Sequence, residues 1–391
     1  MGLVPRPRAI RALVRDRQLR FTDGNRVELF ETGRAGLQAM LAAIERAERY
    51  VHLETYILRA DHIGREILES LAERAADGVE VRLLYDGIGS FGLEEAALEP
   101  LRAAGGEAIA FNPLIRLWPR FPVRRRDHRK ILVVDGEIAF MGGLNIGDEY
   151  VSGLGAVEPG EEWRDAHVRV EGPCVRHLEA VFLESWFRAD GPALAWHALL
   201  EREPAPVGHV RCAVLPDGPT YRRRRTRDLL ISALEHAERE VRLVSPYFAP
   251  GRRVLDVIAA AAGRGVKVSL LLAGDRTDHP SLRRAARAVL PRILRCGVEV
   301  REYDGAMMHA KLACFDDGFA VVGTSNLDRQ SFYHSYEVNL VVEDRDFAKR
   351  VHESFDADFA RGRPVDLESL ARRSFIERLR DRLAAFLVRL I

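Results

Sequence analysis

The apolar residues of this chain follow two spacings, and segments with one spacing alternate with segments with the other along the sequence. Short runs rich in β-branched residues, such as 51–58 and 79–87, end at turn residues and predict strands. Between them, segments such as 65–78 carry apolar residues three and four positions apart, which is typical of a helix with one buried face. Strands that take turns with helices indicate βαβ units, so we predict an α/β fold class.

The same order of elements, helix, strand, helix and strand, occurs twice. In the first half these segments are 37–49, 51–58, 65–78 and 79–87, and in the second they are 227–239, 241–248, 254–265 and 266–274. A repeated order predicts two similar halves, each a mixed β-sheet flanked by helices, with one active site at their interface.

The length of 391 residues exceeds that of one ordinary domain and is enough for two. A Pro-containing stretch at 201–209 follows the predicted helix 175–188 and is typical of a boundary. We therefore predict an N-terminal half over 1–205 and a C-terminal half over 206–391.

Each half contains one copy of the motif H-x-K-x-x-x-x-D. The histidines and lysines of the two copies are His128, Lys130, His309 and Lys311. In each copy the His and the Lys lie two positions apart at the start of an apolar run, so on a strand both side chains point to the same face. Each half therefore presents two basic groups to one pocket.

Each motif leads into a predicted hairpin. Its turn residue is Asp135 or Asp316, and this position favours a structural role over a catalytic one. The returning strand brings small residues and an Asn back beside the His–Lys end, where small residues let the backbone approach an anion closely. We predict that four of these residues bind the substrate: Gly143, Asn145, Ser325 and Asn326.

Paired halves would place two His, two Lys and two Asn around the oxygens of one phosphodiester. One neutral His can attack phosphorus while the other, protonated, donates to the leaving alkoxide. After each motif an acidic residue, Asp165 or Glu337, opens an apolar strand, and such carboxylates can orient the imidazoles. Lys and Asn can neutralise the phosphate, so we expect no metal ion and no other cofactor.

The duplicated motif, followed in each half by small residues and Asn, resembles that of the phospholipase D superfamily. The resemblance implies a phosphohistidine intermediate, with His128 as the nucleophile and His309 as the acid and base. It also implies that the acidic residue of each half supports the His of the other, so that Glu337 would hold His128 and Asp165 would hold His309.

Further segments are similar to those of bacterial cardiolipin synthases, over about residues 37–360. These segments are LLYDGIGS, FNPL, RDHRKILVVDG, GGLNIGDEY, WRDAHVRVEGP, SPYFAP and GTSNLDRQSF. The N-terminal transmembrane hairpin of the longer synthases is not in this sequence, which makes it similar to the shorter cardiolipin synthase B type. One departure is Gln330, where an Arg often precedes the Ser of the motif.

The net charge of +1 hides arginine clusters in 116–130, 221–227 and 283–295, which suit either lipid or nucleic-acid phosphates. Large apolar residues lie within and beside the first cluster, which favours an anionic bilayer surface over a buried segment. They are Leu114, Ile115, Leu117, Trp118 and Phe121. We expect a membrane partner containing phosphatidylglycerol and cardiolipin, and no nucleic acid, because few aromatic residues are spaced for base stacking.

The C-terminal segment 374–391 is predicted to form an amphipathic helix, with its large apolar residues on one face and arginines elsewhere. Such a helix either lies in the plane of a membrane or packs on the protein body, and the sequence favours neither. The apolar set is Phe375, Ile376, Leu379, Leu383, Phe386, Leu387 and Leu390.

The location expected from the sequence is the cytoplasmic face of the bacterial inner membrane, with the protein bound peripherally. No apolar run is long enough to span a bilayer, and the four cysteines lack the spacing of a disulfide framework. The sequence leaves the oligomeric state open.

The activity expected from the resemblance is phosphatidyl transfer that makes cardiolipin from phosphatidylglycerol and a second phospholipid. Two enzyme alternatives remain, a phospholipase D-type hydrolase and a nucleic-acid phosphodiesterase of the same superfamily. A third alternative, an inactive membrane-binding scaffold, does not need both complete His–Lys pairs.

Overall fold

The computed structural model describes residues 19–113, 124–151, 160–194, 196–201, 203–221 and 224–390. The apolar residues expected at a membrane surface, 114–121, lie outside these ranges, and so does part of the arginine cluster 221–227.

The first half consists of strands β1 to β8 and helices α1 to α5. The strands are β1 Thr22–Phe30, β2 Tyr50–Thr55, β3 Glu80–Asp86, β4 Glu107–Phe111, β5 Arg126–Asp127, β6 Ile131–Val134, β7 Ile138–Gly142 and β8 His167–Glu171. The helices are α1 Gly33–Ile44, α2 His62–Ala76, α3 Glu99–Ala103, α4 Val175–Arg188 and α5 Trp196–Glu201. Short 3-10 helices are Glu95–Ala97 and Asp148–Tyr150.

The second half consists of strands β9 to β18 and helices α6 to α12. The strands are β9 Val210–Asp217, β10 Glu240–Ser245, β11 Phe248–Ala249, β12 Lys267–Leu272, β13 Glu299–Tyr303, β14 Leu312–Phe315, β15 Phe319–Gly323, β16 Leu327–Asp328, β17 Ser335–Glu343 and β18 Gly362–Val365. The helices are α6 Arg225–His236, α7 Arg252–Gly263, α8 Pro280–Leu294, α9 Arg329–Tyr333, α10 Arg345–Ala360, α11 Leu367–Ala371 and α12 Phe375–Leu390.

The helices and strands predicted from the hydrophobic pattern are all present, with shifted ends. The helix predicted from residue 37 begins at Gly33, because the Thr32 side chain accepts a hydrogen bond from the backbone of Ala35 and caps the first turn. Asp61 caps α2 in the same way, through Gly64. Capping therefore extends these helices beyond their apolar periodicity.

The two halves have the same strand order. In the first half the sheet runs β1-β8-β7-β6-β2-β3-β4, and in the second it runs β9-β17-β15-β14-β10-β12-β13 with β18 added at the edge. In each half three strands are parallel and the rest pair antiparallel, so each sheet is mixed. The predicted α/β fold with two similar halves is confirmed.

The halves join through β1 and β9, which pair antiparallel with Thr22 opposite Cys212. The joined strands form one continuous sheet whose central strands are buried, including every residue of β2 and β6. A core cluster also crosses the join, with Val133 of the first half and Leu340 of the second among its members. The predicted division near residue 205 lies between α5 and β9.

The motif aspartates hold the hairpin turns. Asp135 and Asp316 have φ values of 54° and 49°, in the left-handed region that Asp tolerates at turns. Each carboxylate accepts three backbone N–H groups where the second strand of its half begins, from 48–50 for Asp135 and from 238–240 for Asp316. Both aspartates thus occupy turns and contact the neighbouring strand, and the preference for a structural over a catalytic role stays a prediction.

The predicted C-terminal amphipathic helix is α12, which packs along α8. Its buried residues include Asp381 and Ala384, whereas six of its large apolar residues are exposed: Phe375, Ile376, Leu379, Leu383, Phe386 and Leu387. In the part of the chain that the structure describes, no helix is long and apolar enough to cross a membrane.

Candidate active site

The backbone of the second half holds the first motif. β5, which immediately precedes His128, pairs in parallel with the start of β17, with Tyr336 opposite Asp127. The backbone N–H of His128 then donates to the carbonyl of Tyr336 over 2.9 Å. Because Glu337 is the next residue, this pairing brings its carboxylate beside His128.

The second motif is held by the first half in a matching way. Arg164 forms an isolated bridge with Met308, and its N–H donates to the carbonyl of Met307 over 2.8 Å. The N–H of His309 donates back to the carbonyl of Arg164 over 2.8 Å. Asp165, the next residue, therefore lies beside His309.

Two histidine–carboxylate pairs result, and both cross between the halves. His128 Nδ1 lies 3.0 Å from Glu337 Oε2, and His309 Nδ1 lies 2.6 Å from Asp165 Oδ2. Both carboxylates are fully buried. An Nδ1–H that donates to a carboxylate leaves Nε2, on the other side of the ring, as the nitrogen for chemistry. These contacts are those that the resemblance implies, and their catalytic roles stay predictions.

The two motif lysines are buried in the same centre. Lys130 Nζ donates to the carbonyl of His128 over 2.8 Å, and Lys311 Nζ donates to the carbonyl of His309. Burial, followed by the charge of Lys311, lowers the pKa of Lys130 to about 7. Burial also lowers the pKa of Lys311 to about 8, although Asp165 and Glu337 oppose the shift. The free site thus concentrates positive charge that an anionic substrate would relieve.

Burial and the lysines also set the protonation of the histidine pairs. Burial, then the charge of Lys311, lowers the pKa of His309 to about 4. For Asp165, burial acts upward, but Lys311 and His309 outweigh it and lower the pKa to about 2. Burial lowers the pKa of His128 against the opposing charge of Glu337. In the free site both imidazoles are therefore neutral near pH 7, and both carboxylates are charged.

The two predicted substrate-binding asparagines have different surroundings. The side-chain oxygen of Asn145 accepts from the backbone of Ile57 over 3.2 Å, and its NH₂ donates to the Tyr150 hydroxyl over 2.7 Å. One NH₂ proton of Asn145 remains for another acceptor. Among the described residues, the side-chain oxygen of Asn326 has no hydrogen-bond partner although it is buried. The side chain of Asn326 therefore has fewer hydrogen-bond partners within the described part of the protein than that of Asn145.

That Gly143 binds the substrate stays a prediction, and the structure shows two other uses of this residue. Its N–H already donates to the carbonyl of Ala166 over 2.9 Å. A Cβ at this position would lie 1.9 Å from an oxygen of Asp165, so the missing side chain leaves room for that carboxylate. Ser325 is also engaged, because its hydroxyl accepts from the Asn339 side chain over 2.9 Å.

Aromatic residues around the histidines were missed in the sequence. The Tyr150 hydroxyl lies 3.4 Å from His309 Nδ1, and the Trp163 ring centroid lies 5.3 Å from that of His309. The Tyr56 ring packs edge-on against His128, with 4.8 Å between the ring centroids, and its centroid lies 5.2 Å from Lys130 Nζ. Tyr56 follows the end of β2, Tyr150 ends a short 3-10 helix and Trp163 lies in a loop, so neither periodicity nor the motif indicates them.

Gln330, the departure from the expected motif, links the halves. Its side-chain NH₂ donates to the carbonyl of Arg124 over 2.8 Å and to the Ser335 hydroxyl over 3.1 Å. Arg124 lies just before β5, and Ser335 begins β17, so the amide holds together the two strands that pair His128 with Glu337. An amide can make these contacts without a charge.

In the part of the chain that the structure describes, one group of side chains has the spacing of a metal site: Glu240, Asp317 and His352. It lies at the far end of β14 from Lys311. Arg242 pairs with Glu240 over 3.0 Å, and Arg239 pairs with Asp317. These arginines balance the two carboxylates, and the group is not part of the histidine centre.

Comparison with known proteins places this geometry in a family. A family model described as the PLD-like domain of cardiolipin synthase matches residues 40–186 and 230–359, which include both motifs and both acidic partners. By structure, the chain is similar to phosphatidylserine synthase of Haemophilus influenzae, with a TM-score of 0.73 and 13% identity over 98% of this chain and 97% of that one. At this identity, the structural match shows a shared fold.

Curated relatives match nearly the whole chain. Cardiolipin synthase 1 of Bacillus cereus is 32% identical over 91% of this chain and 71% of its own length. Cardiolipin synthase of Geobacillus thermodenitrificans is 36% identical, over 89% and 68%. Cardiolipin synthase A of Pseudomonas putida is 35% identical, over 96% and 77%. This chain belongs to the cardiolipin synthase family of phospholipase D-like proteins.

Proposed function

We propose that this protein is a phosphatidyltransferase that makes cardiolipin from two molecules of phosphatidylglycerol. The observation that supports it best is the pair of buried histidine–carboxylate contacts, each made across the join between the halves. A centre built from one half alone would lack a carboxylate for its own histidine. The names of the relatives supply the lipid substrate.

In the first step, His128 Nε2 attacks phosphorus of phosphatidylglycerol. A P–N bond forms, the bond from phosphorus to the glycerol headgroup oxygen breaks, and glycerol leaves with a proton from His309. His309 must be protonated for this step, whereas burial keeps its pKa at about 4 in the free site. The bound phosphodiester anion raises that pKa again, because an opposite charge nearby favours the protonated ring.

In the second step, a hydroxyl of another phosphatidylglycerol attacks the phosphatidyl-histidine. His309 takes the hydroxyl proton, an O–P bond forms, and the bond between His128 and phosphorus breaks. Glu337 and Asp165 hold the two rings in place and stabilise their cationic forms. The products are cardiolipin and glycerol, and the protein returns to its starting state.

Lys130, Lys311 and the two motif asparagines would stabilise the charge that develops on the phosphoryl oxygens. Both lysines are buried beside the histidines, where each Nζ donates to the backbone carbonyl of the histidine of its own motif, so they need little rearrangement in the transition state. Asn326 has a free amide oxygen among its described neighbours, and turning the amide over would direct its NH₂ to a phosphoryl oxygen.

The same centre would hydrolyse lipid if water reached the intermediate before the second alcohol. The burial of both lysines and both carboxylates favours transfer, since it limits the water beside the phosphorus. The partner that fits this reaction is an anionic membrane containing phosphatidylglycerol and cardiolipin. We place the protein on the cytoplasmic face of that membrane, and the similarity to the short synthase B type belongs to the same proposal.

The test uses purified protein, phosphatidylglycerol vesicles and EDTA, with products identified by mass spectrometry. Cardiolipin and free glycerol are the expected products. Phosphatidic acid without cardiolipin would identify a hydrolase, and cleavage of single-stranded DNA without lipid turnover would contradict the proposal. His128→Ala should lower the turnover rate by at least about a thousandfold while the protein stays folded.

A second experiment tests the intermediate. His309→Ala lacks the group that protonates glycerol, but a p-nitrophenyl phosphodiester needs no such help because its leaving group is acidic. The variant should release p-nitrophenol once per chain and retain the phosphoryl group. Mass spectrometry of peptides kept at alkaline pH, where a phosphohistidine survives, should locate the group on His128. Its location on His309 would reverse the assigned roles.

A further inference from the structure

The C-terminal helix α12 exposes large apolar side chains to solvent. Successive residues of a helix are about 100° apart, so six of these side chains share an arc of about 120°. The six residues are between 48% and 71% exposed, and we call them the apolar stripe: Phe375, Ile376, Leu379, Leu383, Phe386 and Leu387. A contiguous exposed stripe of this size marks an interaction surface.

The other face of α12 attaches the helix to the protein. Asp381 and Ala384 are buried, and Arg373 pairs with the Asp381 carboxylate. Along this face α12 packs against α8. The apolar stripe is therefore exposed although the helix is docked, because the helix uses its small and acidic residues for the contact.

Arginines border the apolar stripe on both sides. By helical position, Arg378 and Arg382 lie at one edge and Arg380 lies at the other. All three are exposed, and none forms an ion pair with another residue that the structure describes. Apolar residues flanked by cations are typical of a helix that lies in the plane of an anionic bilayer.

A cavity of about 420 Å³ lies beneath the same helix, between α12, α7 and α8. Its wall is apolar except for Arg252, Arg292 and Arg329. Arg292 pairs with Asp256, whereas Arg252 and Arg329 have no carboxylate partner in the described part of the chain. An apolar wall with unpaired arginines suits an amphiphilic anion such as a phospholipid.

The cavity also adjoins the second motif. Arg329 lies three residues beyond Asn326, and the short β16 strand between them pairs with β11, which leads to Arg252. A lipid held in this cavity would therefore lie beside the end of the chain segment that carries Asn326. A second copy of this protein is a poorer occupant, since it would bring a second set of arginines to the same place.

We infer that α12 is the membrane-docking helix of this protein. The apolar stripe inserts into the boundary between headgroups and acyl chains of an anionic phospholipid bilayer, and the bordering arginines contact lipid phosphates. The inference rests on the proposed function, because an enzyme whose substrate is a membrane lipid must reach the bilayer that contains it. The helix lies beyond residue 359, where the match to the family model ends.

The main test is binding of the variant Leu379→Glu/Phe386→Glu to phosphatidylglycerol vesicles, measured by flotation. The two charges should lower the fraction bound by at least about tenfold, since they place carboxylates in the apolar layer. The matched control is Phe187→Glu, which removes an 81% exposed aromatic side chain from α4. It should bind as the unchanged protein does. Equal losses in both variants would contradict a specific role for α12.

Anionic selectivity is tested with Arg378→Gln/Arg380→Gln/Arg382→Gln and, separately, with Arg252→Gln. On vesicles of phosphatidylglycerol and phosphatidylcholine, the triple variant should lose most of its preference for the anionic lipid. Arg252→Gln should weaken that preference less, because it removes one contact. If neither variant changes the preference, these arginines do not determine the preference for anionic lipid.

Turnover separates this inference from the proposed function. Leu379→Glu/Phe386→Glu should keep its activity on monomeric short-chain phosphatidylglycerol and lose it on vesicles. His128→Ala should bind vesicles normally without turnover. Vesicle binding that depends on α12, without turnover by the unchanged protein, would contradict the proposed function alone. An unchanged protein that sediments as a dimer, and that becomes a monomer in the double variant, would assign the stripe to a second copy.

Discussion

At the scale of single residues, the chemistry of the centre depends on groups that are buried together. Lys311 lowers the pKa of both Lys130 and His309, while Asp165 and Glu337 oppose the loss of positive charge. Burial is the largest cause of each of these shifts. The centre is thus a set of coupled groups whose protonation responds to a bound phosphate.

Removing either buried carboxylate tests this coupling. Asp165→Asn and Glu337→Gln keep the shape of the side chain but no longer stabilise a cationic imidazole, so kcat should fall by roughly a hundredfold or more. Product formation on short-chain phosphatidylglycerol measures the effect. Asp366→Asn, a change of the same kind at the exposed cap of α11, is the control and should leave kcat unchanged. Near-normal rates in both buried variants would contradict the role of the carboxylates.

His167 provides a test of pH dependence. Burial, with a smaller contribution from Lys130, lowers its pKa from 6.5 to about 4, and neither ring nitrogen has a partner among the described residues. Since a lowered pKa means that protonation favours the unfolded chain, the stabilisation is complete above pH 6.5 and is lost as the pH falls toward 4. The full shift corresponds to about 3 kcal/mol.

The corresponding variant is His167→Asn, chosen because Asn339 occupies the matching position opposite Gly323 in the second half. Urea unfolding between pH 7 and pH 4 should show a smaller loss of unfolding free energy than in the unchanged protein. Part of the loss should remain, because His309 also has its pKa lowered to about 4. An identical loss in both proteins would show that His167 does not titrate on unfolding.

At the scale of elements, each half depends on a hairpin whose turn also holds a neighbouring strand. The carboxylates of Asp135 and Asp316 each accept three backbone N–H groups at the start of β2 or β10. β2 and β10 pair with β6 and β14, the strands that follow the motif lysines. A turn residue therefore fixes the strand on which the catalytic candidates depend.

The turn aspartates should affect stability more than catalysis. Asp135→Ala removes an acceptor of three N–H groups and places Ala at a φ of 54°, so the unfolding free energy should fall by about 1–3 kcal/mol. Asp135→Asn, which tolerates this φ and keeps one acceptor oxygen, should lose less. Chemical denaturation gives the energies, and kcat of the folded fraction should stay within about twofold of the unchanged protein. A collapse of kcat in folded Asp135→Asn would instead indicate a catalytic role.

At the scale of the whole molecule, the pairing of β1 with β9 joins the two repeats, and their motifs together form one centre. The joined sheet brings the carboxylate of each half to the histidine of the other, over sequence separations of 209 and 144 positions. Both motifs therefore belong to one site within one chain. The division of the halves near residue 205 stays a prediction.

Mixing two inactive variants tests this arrangement. His128→Ala and His309→Ala each lack one histidine of the same centre, so their mixture should remain as inactive as either alone. Activity on short-chain phosphatidylglycerol is the measurement, with each variant and the mixture at equal total concentration. Recovery of activity in the mixture would show that two chains share a site, contrary to the intramolecular pairing.

The sequence by itself determined the α/β repeat, the motif residues and the hairpin turns. These properties are local, since the spacing of apolar residues and the chemistry of turn residues act between neighbours in the chain. The role of Asp135 as a turn residue followed from its position before Gly136. The His–Lys pairs were predicted from the alternation of side chains along a strand, whereas each pair lies just before its strand, β6 or β14.

Only the tertiary structure decided how distant segments meet. It showed that Gly143 leaves room for Asp165, that Tyr150 and Trp163 surround His309, and that Gln330 links the strands of the two halves. Periodicity identified the apolar stripe of α12 but not its surroundings. Which face of a helix contacts the protein depends on the shape and charge of the surface that it meets, and that surface forms only when the chain has folded.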